Sequence, residues 1–188
     1  IVHVIRCFRD DDVIHVSGSV DPSRDIEIIN LELALSDLNQ IEKRRTRLKK
    51  QISTNKEAKL EDDVLEQLTE ALENENAVRS VSLTDEEKKL IKPLGLLTEK
   101  PIIYATNLGE DELAKGNSFS EEVNTLATKE GSECVKISAQ VEAELIELGE
   151  EERDDYLNGL GVEEGGLISL IKATYRLLGL STYFTTGE

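Results

Sequence analysis

Pro101–Glu110, PIIYATNLGE, is the stretch whose reading decides the fold. Its apolar run from Ile102 to Ala105 predicts a short buried strand that ends at Asn107. Cys134 to Ile137 predicts a second strand, ending at Ser138. Between them, Ser118 with Glu121 is expected to cap a connecting helix that turns Phe119, Val123, Leu126 and Ala127 toward the sheet and ends at Gly131. Strand, helix and strand make a right-handed βαβ crossover, so the two strands are parallel. Loops at the ends of parallel strands meet in one crevice, where open α/β folds bind nucleotides. The loops that meet here are Asn107-Leu108-Gly109-Glu110 and Ser138-Ala139.

In a guanine-reading loop of the form Asn-Lys-x-Asp, the Asn braces neighbouring loops and meets the purine. The carboxylate accepts from the guanine N1–H and 2-amino groups. Leu108 and Glu110 stand at the Lys and Asp positions. The added methylene of Glu110 moves the carboxylate outward, and Leu108 places an apolar side chain where a Lys stem would cover the base. Both changes argue against strict guanine reading. By itself Asn-x-x-Glu is a weak signal, because any surface loop can carry it. Ser138 also reads as the plain N-cap of a helix from Gln140 to Leu148.

Working outward, Ile1 to Phe8 predicts a buried strand, and Asp10-Asp11-Asp12 a turn into an extended run, Val13 to Val16. The three acids lack the further ligands and glycine spacing of a calcium loop, so they read as a solvated turn. His3 and His15 read as structural. Asp21-Pro22 starts a helix, the Asp as cap and the Pro as a first residue that loses no hydrogen bond. That helix is expected from Pro22 to Gln51 on the apolar stripe Ile26, Ile29, Leu33, Leu38, Ile41, Leu48 and Ile52. A polar break at Ser53-Thr54-Asn55 leads to a second helix, Lys56 to Glu73, and the two make an antiparallel hairpin. Thr84 and Glu87 form a capping box for a short helix closed by Pro93 and Gly95. Further helices are expected over Glu151–Leu160 and Leu167–Leu178.

With 39 acidic against 22 basic residues the chain carries a formal charge of −17, which disfavours indiscriminate nucleic-acid or membrane binding, and no DNA partner is expected. Against that background Lys43, Arg44, Arg45, Arg47, Lys49 and Lys50 stand out beside the hairpin turn. Such a cluster suits the phosphates of a nucleic acid, and it equally suits a solvated helix C-terminus. Cys7 and Cys134 have no paired spacing and read as reduced thiols rather than a disulfide or metal site. No stretch approaches the ~20 apolar residues of a membrane span.

Several segments, in order along the whole chain, carry a resemblance: IVHVIRCF, VIHV after the acidic turn, VDPSRDIEIINLELALSDL, LGLLTEKPIIYATN, ISAQVEAEL and YRLLGLSTYFTTG. Together they resemble the YchF/Obg-like ATPases. The resemblance implies an α/β fold, part of a P-loop NTPase with a parallel sheet and an inserted antiparallel helical hairpin or coiled coil. It divides the chain into NTPase residues 1–20, the hairpin at 21–83, NTPase residues 84–180 with the base-recognition loops, and the start of a TGS domain at 181–188. It further implies a cytoplasmic, ribosome-associated enzyme that hydrolyses ATP in preference to GTP with Mg²⁺. Asn107, Leu108, Glu110, Ser138 and Ala139 would then meet the base, the last two through backbone N–H groups. The chain has no Met and no Gly-x-x-x-x-Gly-Lys-Ser/Thr phosphate loop, so phosphate and Mg²⁺ ligands and all catalytic residues are expected outside it. The competing expectation is a non-catalytic helical-hairpin module that binds protein or RNA.

Overall fold

A computed structural model describes residues 1–10 and 19–186; Asp11, Asp12, the run Val13 to Val16 and His15 lie outside the described residues. In chain order the elements are β1 (Val2–Arg6), α1 (Pro22–Leu48), α2 (Lys56–Glu73), α3 (Asp85–Ile91), β2 (Ile103–Asn107), α4 (Ser118–Glu130), β3 (Glu133–Ile137), α5 (Ala139–Glu147), α6 (Glu150–Leu160) and α7 (Gly166–Leu177). They form two compact units: Ile1–Asp25 with Ile102–Glu188, and Ile26–Pro101.

The first unit is built on a parallel sheet of order β1-β2-β3. The central strand β2 buries Ile103, Tyr104, Ala105 and Thr106 in succession, which is why its sequence is a continuous rather than an alternating apolar run. Ile103, Ala105 and Val135 pack against Ala173 of α7, with Leu170 and Leu177 beside them. Helix α7 starts hard against β3. A Cβ on Gly166 would stand 2.9 Å from the Ile137 Cα, so only glycine fits there. A second cluster joins Leu113, Val141, Leu145 and Leu157, with Tyr156 and Leu160 at its margin. Helix α4 buries Val123 and Ala127, but its cap differs from the expected Ser118. Asn117 accepts from the Ser120 N–H at 3.0 Å, and Ser120 Oγ accepts from the Asn117 N–H at 2.9 Å. Asn is among the strongest N-caps, and it moves Ser118 inside the first turn. Residues 181–186 form no strand: Tyr183 and Phe184 are exposed there, and an alternating pattern without a pairing partner makes no ladder.

The second unit is helical. Helix α1 starts at Pro22, with Asp21 Oδ1 accepting from the Arg24 N–H at 3.1 Å, and ends at Leu48 rather than Gln51. Turns follow, and Asn55 caps α2 by accepting from Glu57 N–H and Ala58 N–H at 2.9 and 3.4 Å. Ile41 and Leu48 of α1 meet Ala58, Val64, Leu65, Leu68 and Leu72 of α2 in one core. Ile91 and Leu96 join that core, and the compact unit extends to Pro101. A buried carboxylate fastens this extension. Asp37, wholly buried, accepts from Leu97 N–H, Thr98 N–H and Thr98 Oγ1–H at 2.8, 2.8 and 2.7 Å. The Thr84–Glu87 capping box forms as expected.

Candidate nucleotide-base site

Parallel register sets Arg6, Asn107 and Ile137 in one row at the ends of the three strands. The loops that leave this row are tied to one another. Asn107 Oδ1 accepts from the Ala139 N–H at 2.9 Å, across 32 residues of sequence, and the Leu108 N–H donates to the Ile137 carbonyl at 2.9 Å. Asn107 thus braces the second loop. Ser138 is buried and caps α5, its Oγ accepting from the Val141 N–H at 3.5 Å. The Ala139 N–H, expected at a purine edge, is engaged by Asn107 here.

Leu108 and Glu110 behave differently. Leu108 is only 2% exposed, and it stands among the residues that line the cavity over these loops. An isolated apolar side chain on a surface loop gains by burial, about 25 cal/mol per Å² of apolar surface. The half-buried Glu110 accepts at Oε1 from the Tyr156 hydroxyl at 3.2 Å, and the same hydroxyl lies within hydrogen-bond reach of Glu144 Oε2. The two carboxylates hold the Tyr156 phenol well above its ordinary pKa, Glu144 by the stronger hydrogen bond.

A cavity of about 1060 Å³ opens over these loops, lined among others by Phe8, Arg9, Asn107, Glu110, Phe119 and Ala139. It is large enough for a nucleoside. Arg9 stands 5.5 Å from the Phe119 ring centroid and Arg6 4.7 Å from that of Phe8. These cation–π contacts orient rings at the cavity wall. Sequence reasoning did not single out Phe8 and Arg9, which line the cavity, or Tyr156. Burial pushes the Cys7 thiol up to about 12, which disfavours the thiolate. Among the described residues no group of three or more His, Cys, Asp or Glu is placed to hold a metal ion, and no helix is long and apolar enough to cross a membrane.

The six cations by the hairpin turn separate into two kinds. Arg44 makes a two-pronged pair with Glu61, at 2.6 and 2.7 Å. Arg45 pairs with Asp62 at 2.9 Å and Glu66 at 3.1 Å. Hydrogen bonds to these acids raise both guanidinium pKa values further. These two arginines clasp α1 to α2. Lys43, Arg47, Lys49 and Lys50 are exposed.

No family model matches the chain. It is 49% identical to the ribosome-binding ATPase YchF of Bacillus subtilis (strain 168) over 100% of this chain and 52% of that protein. It is 47% identical to the ribosome-binding ATPase YchF of Escherichia coli O157:H7, over 98% of this chain and 51% of that one. The solved structure of the Schizosaccharomyces pombe YchF GTPase superposes with a TM-score of 0.85 at 32% identity, covering 99% of this chain and 52% of the other. The chain therefore spans about half the length of the relatives it matches.

Proposed function

We propose, from the premise that this chain belongs to the YchF/Obg-like ATPase family, that it supplies base recognition and the helical arm of a ribosome-associated, cytoplasmic P-loop NTPase that prefers ATP and accepts GTP. The observation that carries this reading is the Asn107–Ala139 brace at the mouth of the cavity. It fixes two loops from different strands around one space, as base selection requires. Asn107 and Glu110 border the purine, and the Ser138-Ala139 turn closes its far edge. Leu108 contributes as an internal anchor of the loop.

Phosphoryl transfer needs phosphate-cradling N–H groups, a Lys and Mg²⁺. The sequence has no phosphate loop, so no catalytic step is assigned to this chain. The exposed Lys43, Arg47, Lys49 and Lys50 support a second role for the hairpin, contact with ribosomal RNA.

The test is titration calorimetry with MgATP and MgGTP. In the full-length protein Asn107→Ala is expected to weaken both nucleotides about 2- to 10-fold, since it removes the hydrogen bond to the Ala139 N–H and frees the loop, on the order of 0.5–1.5 kcal/mol. The 188-residue chain alone is expected to bind MgATP more weakly than micromolar, for want of phosphate contacts. Unchanged affinities in the Asn107 variant would place the base elsewhere.

A further inference from the structure

We infer that Tyr156 sets the adenine-over-guanine preference of this site by holding the Glu110 carboxylate, as a positioning residue that acts through it. The inference rests on the reading of residues 107–110 as the base loop. Tyr156 projects from α6, its ring packed at the edge of the Leu113, Val141, Leu145 and Leu157 cluster. Its hydroxyl is placed between two acids, at 3.2 Å from Glu110 Oε1 and in contact with Glu144 Oε2.

A phenol has one proton and serves one carboxylate at a time. Glu144 and Glu110 therefore compete for it. Guanine reading by a carboxylate needs both oxygens, one for N1–H and one for the 2-amino group. When the phenol donates to it, Glu110 Oε1 is drawn toward α6 and one of its acceptor sites is filled, so guanine has to turn the carboxylate back against that hydrogen bond. Adenine presents neither donor, since its N1 is an acceptor and its C2 carries no amino group. Adenine binding leaves the Tyr156–Glu110 bond in place. The phenol thus imposes a cost on guanine alone, and Glu144, by drawing the proton away, sets how large that cost is.

The experiment is competition between MgATP and MgGTP on the full-length protein. Tyr156→Phe, which keeps the ring and its packing, is expected to shift the affinity ratio toward GTP by about 2- to 10-fold, the range of one hydrogen bond. Glu144→Ala removes the competitor and is expected to shift the ratio the other way, toward ATP. Opposite signs cannot arise from a loosened α6, which would weaken both nucleotides together. An unchanged ratio in Tyr156→Phe, or shifts of the same sign in the two variants, overturns the inference. Asn107→Ala separates the two levels: if it weakens both nucleotides while Tyr156→Phe leaves the ratio alone, only the role of Tyr156 falls. If Asn107→Ala weakens neither, the base-loop reading falls and the inference with it.

Discussion

Replacing Asp37 by Ala is expected to destabilise the helical unit by about 3–5 kcal/mol, because three buried donors lose their acceptor at once. The Leu97 N–H, Thr98 N–H and Thr98 hydroxyl all converge on this one carboxylate, which is shut off from water. Thr98 also accepts from the Val78 N–H at 3.2 Å, so the damage reaches the segment after α2. Asp37→Asn keeps the shape but turns an NH₂ toward at least one of these donors, and it should lose a large share of the same energy. Urea unfolding followed by helical circular dichroism measures both. With a slope of about 2 kcal/mol per M, the Ala variant should unfold roughly 1.5–2.5 M earlier. A loss below about 1 kcal/mol would mean that the donors find other acceptors and that the carboxylate is not what fastens residues 97–98 to α1.

Neutralising Lys43, Arg47, Lys49 and Lys50 together is expected to reduce ribosome co-sedimentation of the full-length protein by two orders of magnitude or more near 0.1 M salt. Each phosphate contact contributes roughly 0.7–0.9 to the slope of log affinity against log salt, so four contacts lower the slope by about 3. Nucleotide affinity should stay constant, since the cavity proposed to take the base is lined by residues of the other compact unit. Arg44 and Arg45 make a poor test of RNA contact. Their heads are engaged by Glu61, Asp62 and Glu66, and reversing their charge would set acid against acid across the hairpin. A series of salt concentrations over which the fourfold variant pellets like the parent would reduce the cluster to a solvated helix end.

Much of the fold was legible because the signals are local. The continuous apolar run Ile102–Ala105 marks a central strand, since only a strand covered on both faces has no polar side. The Asp21-Pro22 start of α1, the bounds of α2 and the Thr84–Glu87 box were readable for the same reason. Each rests on a side chain and backbone groups within four residues of one another. One error was local too. Asn117 and Ser118 are both good caps in adjacent positions, and the better acceptor took the role.

The sequence by itself therefore determined the strands, the helices and the loop that carries Asn107 and Glu110, together with the family likeness along the whole chain. Tertiary structure alone decided what those side chains do. That Tyr156 would reach Glu110 across 46 residues, that Arg44 and Arg45 would clasp α2, and that Asp37 would fasten Thr98 are all long-range pairings. No spacing rule encodes them. They depend on which elements the topology sets side by side, and on burial that makes an unpaired polar group costly enough to select one partner.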